Sequence, residues 1–487
     1  MTVVDYLVVG VYLLGITAFG SWLGRFNKTT ADYFLTGRTV PGWAICCTTV
    51  ATETSTLSFI GVPAAAFTGD MGFLQLAAGY VLGRALVGIL LVPAYFAGDL
   101  LTSYDLLRQR FGPAVKNLSA GLFIVTRSLA DGIRLYATAL VIGVVTGVPV
   151  SVLIVALGLA MIVYTLRGGA TAVIWTDVIQ LFVYILGALI LVWSLLSHIE
   201  GGWQAVVTAG SAAGKFNVID AVWNPHKIYT LWSGLIGGMI LTLAVQGTDQ
   251  FFVQRLLAAR SRSDAAWGVF ASGVVVFAQF ALFLIIGVML WVFYQQTPLP
   301  VPVDRADKIV SVYVLHNLGP GLAGIIIAAI VAAALSPSTN ALAATTVNDF
   351  YHPYVRPEAD DAHLMRVSRI ATVGWGLVQL VVALAAQYMR QGVLDAGLTV
   401  LGLSSGAVLG AFLIGTFRPS VGGLAVFAGM ATGIGTVLAV WAGTPIAWTW
   451  HALIGATVTV GIALIVAPFV PASRPSPPTP TATPAPA

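Results

Sequence analysis

The chain has 487 residues, 58% of them hydrophobic and 9% charged, with a mean hydropathy of +0.91; soluble proteins carry about 25% charged residues. This balance excludes a soluble enzyme and a nucleic-acid binder, so the net charge of +4 bears on membrane topology rather than on a polyanionic partner. Cys46 and Cys47 are the only cysteines and are adjacent, the histidines are scattered, and no phosphate-binding glycine loop or nucleophile–base set occurs, so neither a metal site, a cofactor nor covalent catalysis is expected.

Apolar runs longer than the ~18 residues needed to cross a bilayer recur throughout. They predict an all-α polytopic membrane protein of thirteen spans, at about 3–24, 42–67, 72–98, 118–146, 150–166, 171–197, 230–252, 267–294, 319–346, 370–389, 394–416, 422–442 and 450–470. The first run lacks a basic leader and a small-residue cleavage site and reads as a retained helix.

The second span, GWAICCTTVATETSTLSFIGVPAAAF, has apolar ends and a middle made of Thr48, Thr49, Thr52, Glu53, Thr54, Ser55, Thr56 and Ser58. A carboxylate at bilayer depth costs about 2.5–3.5 kcal/mol on insertion scales. Polar or unwound backbone survives there only when surrounded by protein or a wet cavity, as at the interrupted helices of secondary transporters. The alternative is a polar helix–helix seam.

Three arginines fall inside spans: Arg84, Arg127 and Arg134. Arg127, Asp131 and Arg134 share one helix face, so Asp131 can neutralise either arginine; the sharper reading makes Arg134 a carboxylate-binding group on a substrate path. Arg84 is read as snorkelling or capping backbone carbonyls. In the segment from Arg167, a Gly-Gly turn is expected to lead into a helix bearing Asp177, whose partner must come from another helix. In 230–252, Gly234, Gly237 and Gly238 with Thr242, Gln246 and Thr248 mark a second candidate interruption. The span 319–346 leaves through the small-residue run ALSPSTNALAATTVNDFY.

Two connections are long, about 198–229 and 295–318, the second with a short helix expected from Asp304; the Pro/Thr/Ala-rich tail 471–487 is expected to be disordered. With the N-terminus outside, cytoplasmic segments carry fifteen Lys/Arg and external segments five. This bias predicts a multi-pass plasma-membrane protein with a cytoplasmic C-terminus.

The chain resembles the sodium/solute symporter family, which includes sodium/galactose, sodium/proline, sodium/iodide and sialic acid transporters. The resemblance covers about residues 3–440 and rests on DYFLTGRTVPGW (32–43), ATETSTLSFIGVP (51–63), GGATAVIWTDVIQ (168–180), GTDQFFVQRLLAARS (247–261) and STNALAATTVNDFY (338–351), in order and at family spacing. It implies a LeuT-type fold in one transporter domain, 1–470. Two inverted five-helix repeats would run over about 42–197 and 230–416, with one helix before and two after. It implies a sodium ion held by backbone oxygens of Ala51, Thr54 and Ile330, where Ala333 and Ala334 stand in place of the family's two hydroxyl ligands. Ser336 and Asp177 correspond to a second sodium site in some members, and Glu53 to a position linked to sodium binding in proline transporters. For the solute, the resemblance points to Ser55, Ser58, Gln75, Tyr80, Thr242 and Gln246, beside Arg134 from the residue reading; the sugar-type pattern is not preserved.

The expected function is cation-coupled symport of a small organic solute by alternating access, with the lipid bilayer, the solute and sodium or a proton as partners. A proton-coupled or uncoupled carrier is the alternative within transport, and a membrane solute receptor the alternative outside it.

Overall fold

Hydrocarbon offers no water to satisfy backbone polar groups, so a spanning chain closes its hydrogen bonds within helices. The computed structural model describes residues 2–24, 38–97, 100, 102–303, 305–334, 338–389, 392–418 and 420–470. Apart from an isolated bridge between Val40 and Ala259, the regular structure of the described residues is helical. In chain order the helices are α1 (Val3–Gly24), α2 (Gly42–Glu53), α3 (Thr56–Thr68), α4 (Phe73–Leu86, continued by a π turn to Tyr95), α5 (Ser103–Phe111), α6 (Pro113–Thr146), α7 (Val150–His198) and α8 (Gly202–Ala212). There follow α9 (Gly238–Thr248, entered through a π turn from Ser233), α10 (Gln250–Leu257), α11 (Arg262–Gln296), α12 (Ile309–Asn317), α13 (Leu322–Ala334), α14 (Thr339–Thr345), α15 (Asp361–Ala386), α16 (Val393–Phe417), α17 (Gly423–Gly443) and α18 (His451–Val466).

Among the described residues, nine helices are long and apolar enough to cross a bilayer, or ten with α2 and α3 taken as one bent span. The other three of the thirteen expected spans coincide with shorter apolar helices, Val150–Val163, Ser233–Thr248 and Leu322–Val331. The expected turn at Gly168-Gly169 is not formed: helical backbone runs through it, and α7 has 49 residues.

The bundle centres on α2 and α3, which pack against α11; α2 also contacts α7, and α3 contacts α16. α9 lies against α4 and α16, and α17 and α18 pair beside α16. The glycines at 234–238 serve close approach rather than unwinding. A Cβ at Gly79 would stand 2.2 Å from the Gly234 carbonyl oxygen, and one at Gly238 2.8 Å from that of Leu76. Small residues at such crossings let backbones touch.

Polar groups close the ends of these helices. Lys215, in the connection after α8, donates to the carbonyls of Ala66, Phe67 and Gly69 at 3.3, 2.8 and 2.7 Å, capping the orphan carbonyls at the C-terminus of α3. Burial among these carbonyls lowers its pKa below the ordinary lysine value. Asp5 accepts from the backbone N–H groups of Gly321 and Gly324 at 2.8 and 2.9 Å, tying α1 to the start of α13. The helix expected from Asp304 is present as a 3-10 turn, Ala306–Lys308, running into α12.

Candidate functional site

The polar run in the second span breaks its helix. α2 and α3 meet at 65°, and the break is Thr54 and Ser55, both in extended conformation. A second break lies at Asp249, between α9 and α10, also extended. Its carboxylate accepts from the N–H of Phe251 at 2.8 Å and caps α10. The expected interruption in this span is therefore real but sits at its end, eleven residues after Gly238, where Gly-Thr-Asp meets an aromatic helix start.

Between the two breaks lies a cavity of about 90 Å³. Ser55, Ser58, Tyr80, Arg134, Thr242, Gln246 and Glu53 line its polar wall, and Phe73, Phe280 and Leu394 are among its apolar lining. Gln75 is not on this wall. Its amide donates to the Gly72 carbonyl at 3.2 Å and accepts from the N–H of Asp220 at 3.0 Å, so it fastens the long connection before α9 to the start of α4.

Glu53 reaches across the cavity edge to two partners. Its Oε2 forms an ion pair with Arg84 and accepts from Gln246 Nε2 at 3.0 Å. Arg84 is 0% exposed and also donates to Ser272 Oγ at 2.7 Å. The reading of Arg84 as a snorkelling or carbonyl-capping side chain is thus replaced by a buried pair. A guanidinium at that depth is tolerated when a carboxylate cancels its charge.

On α6, Asp131 receives two bonds from Arg127 at 2.9 and 2.8 Å and one from Ser338, whose hydroxyl is also bonded by Gln379. Arg127 stacks over Phe251, 3.9 Å from the ring centre, and stands 4.0 Å from Asp249. Arg134 is left with thinner company: Asp131 lies at 3.7 Å and the Thr52 carbonyl at 3.4 Å. Its Nε is buried without a partner among the described residues. Asp131 thus neutralises Arg127 first, and Arg134, on the cavity wall, holds unspent donors.

Asp177 finds its partner on another helix, as its sequence surroundings require. Arg255 donates to its Oδ2 at 3.1 Å, with Thr48 at 2.6 Å and Thr52 at 3.3 Å on the same oxygen. Arg255 also stacks on Phe251, 4.4 Å from the ring centre, so one aromatic ring carries two guanidinium groups. Two of the three backbone oxygens expected to hold sodium accept protein hydroxyls: Thr54 from Tyr184 at 2.6 Å and Ile330 from Thr56 at 3.1 Å. Ala51 is buried beside them in α2. Ala333 and Ala334 end α13, and Ser336 lies outside the described residues.

Comparison with known proteins decides the family. The model of the sodium:solute symporter family matches residues 33–433. The chain belongs to that family. The human sodium/iodide cotransporter is 31% identical over 90% of this symporter and 69% of its own length. A sodium/sialic acid symporter of Aliivibrio fischeri is 28% identical over 96% of the chain and 93% of its own. Among solved structures, a Na+-coupled sialic acid symporter in a substrate-bound, outward-open state superposes with a TM-score of 0.89 at 26% identity, covering 98% of this chain and 100% of that one. A nucleobase-cation-symport-1 family transporter in a closed conformation, TM-score 0.62 at 14% identity, shares the fold. The protein is a sodium-coupled solute transporter of LeuT-type fold, not an enzyme; a small solute and sodium are what it carries, across a membrane it spans many times.

In this symporter the residues that sequence reasoning passed over are Asp249, Arg255 and Tyr184. Asp249 sits in a helix-start pattern, Asp followed by an apolar helix, which is a readable signal. Arg255 is one of the fifteen Lys/Arg that the sequence places in cytoplasmic segments, yet it is buried. Tyr184 carries no local mark at all, since its role depends on which carbonyl happens to face it.

Proposed function

We propose that this symporter carries a small organic anion with a single carboxylate, and that Arg134 grips it. The observation that supports this is the incomplete bonding of Arg134 on the cavity wall, where Nε has no partner among the described residues and the nearest carboxylate is already doubly bonded by Arg127. A planar guanidinium with free donors matches a carboxylate two bonds at a time, which a lysine cannot. The apolar lining from Phe73, Phe280 and Leu394 suits the body of such a molecule. The same chemistry fits sialic acid and monocarboxylates, the solutes for which two of the relatives are named.

Sodium is the coupling ion in this reading, with the backbone oxygens of Ala51, Thr54 and Ile330 and the carboxylate of Asp177 as its oxygen sources among the described residues; Ser336 is added from the resemblance alone. The inverted repeats span about 42–197 and 230–416 within one domain, and the N-terminus faces outside the plasma membrane, which the fifteen-to-five Lys/Arg bias supports. Uptake into proteoliposomes under an inward sodium gradient tests the substrate class. Small carboxylates are expected to accumulate in the wild type. Arg134→Lys is expected to raise the half-saturating solute concentration about tenfold or more, since loss of one charge-assisted bond is worth that much. Normal uptake by Arg134→Lys, with a neutral solute preferred, overturns the reading.

A further inference from the structure

The connection between α8 and α9 is two-sided. With Asp220, His226, Lys227 and Tyr229 it lines an open groove of about 810 Å³, together with Asp70. Val222 and Trp223 lie outside that lining and are 61% and 64% exposed. The Trp223 ring meets two others edge-on: Trp232, at the entry to α9, with centres 6.1 Å apart, and Trp450, just before α18, at 5.7 Å. Trp223 therefore stands at the ends of two apolar membrane segments, Ser233–Thr248 and Trp448–Phe469. Trp441, in the last turn of α17, is exposed at the same face, since α17 leads through a short connection into α18.

A surface that meets lipid has to close its own polar groups, and this segment does so. Asp220 donates its N–H to Gln75 Oε1 at 3.0 Å, its side chain accepts from the N–H of Val222 at 3.1 Å, and its carbonyl accepts from that of Leu231 at 2.7 Å. The Pro225 carbonyl accepts from the N–H of Ala447 at 2.9 Å, and the Ala221 carbonyl from Trp232 Nε1 at 3.0 Å. Tryptophan concentrates at the headgroup level, where its ring can be apolar and its N–H bonded. We propose that Val222, Trp223 and Trp232 seat this connection in the headgroup layer of the phospholipid bilayer, while Asp220 and Lys227 turn to the open groove. The apolar patch is continuous with the lipid-facing ends of α9 and α18, which makes lipid its occupant. In the orientation proposed above, this is the outer leaflet.

The test places the full chain in phosphatidylcholine nanodiscs, which leave both membrane faces open to buffer. In a Cys46→Ala/Cys47→Ala background, a nitrobenzoxadiazole probe is attached at Val222→Cys, on the patch, or at Lys227→Cys, on the groove, where the native side chain is 57% exposed. The quenchers are iodide in the buffer and phosphatidylcholine spin-labelled at its headgroup. The probe at 222 is expected to emit further to the blue than the one at 227, to lose more fluorescence to the spin-labelled lipid and to lose less to iodide. Equal iodide quenching at the two positions overturns the proposal, because the patch then faces water. Protection at 222 from both quenchers overturns it too, because protein, such as a second copy of the chain, then covers the patch. Should the cysteine-free chain not fold, Trp223→Phe in the native background decides the point. Brominated phosphatidylcholine quenches tryptophan emission on contact, and the emission lost to it is expected to shrink when Trp223 is replaced; an unchanged loss overturns the proposal.

Discussion

Glu53 and Arg84 illustrate how a charge survives at membrane depth. Neither side chain is tolerable alone in a dry interior, and together they cancel. A conservative change at one partner is therefore not conservative. Glu53→Gln keeps the shape but leaves the buried Arg84 guanidinium with the Ser272 hydroxyl as its neutral partner, which is expected to cost about 3–5 kcal/mol of stability. Glu53→Gln/Arg84→Met is expected to recover most of that loss. A double-mutant cycle on detergent-solubilised protein, read by thermal or denaturant unfolding, checks the coupling; additive losses would show that the two side chains do not act as a pair. The pair was hidden from sequence inspection because its members lie 31 positions apart on different helices, and neither bears a local signature of the other. Glu53 itself was conspicuous, since a carboxylate inside an apolar span has few innocent explanations. Asp177 was equally conspicuous, while Arg255 looked like an ordinary cytoplasmic arginine because it follows the last apolar turn of its span.

At the level of elements, the break at Thr54-Ser55 was legible from composition: hydroxyl side chains compete for backbone groups and undo a helix where apolar neighbours would preserve it. The second break was legible in outline and misplaced in detail, because the glycines that suggested it serve the crossing with α4 instead. Only packing distinguishes a glycine that unwinds from one that admits a neighbour. The contact of α3 with α13, beside the break, carries the sodium question. Ala333 and Ala334 bring no side-chain oxygen, and hydroxyls of Tyr184 and Thr56 already bond two of the backbone oxygens. A hard cation needs oxygen ligands, so sodium is expected to bind here weakly, relying on water or on the neighbourhood of Asp177. Ala333→Ser/Ala334→Ser adds two hydroxyls and is expected to lower the sodium concentration for half-maximal uptake about tenfold, one restored ligand being worth roughly that. The measurement is uptake against sodium at fixed pH. A wild type that already saturates at low sodium, unchanged in the variant, would show that the two alanines are immaterial.

Over the whole molecule, orientation and charge are the properties that no single helix determines. A reporter fused after Pro471 is expected to be active on the cytoplasmic side; activity only on the external side would reverse the topology read from the Lys/Arg bias. The ion pairs described above, with a further buried pair between Lys116 and Asp349 at 3.4 Å, also sum to something. Among the described residues of the core, Glu53, Asp131, Asp177, Asp249 and Asp349 are met by Arg84, Arg127, Arg134, Arg255 and Lys116, five formal negatives against five formal positives. Those ten groups make up a part of the core that is formally neutral. When it reorients, the membrane potential, worth about 2.3 kcal/mol per charge per 100 mV, finds no net charge to pull on. The voltage then acts only on cargo: one sodium with a monoanion crosses without current, and each additional sodium appears as one elementary charge per cycle. Current recorded from protein-loaded membranes, compared with tracer flux, thus becomes a direct count of the ions carried with each solute molecule.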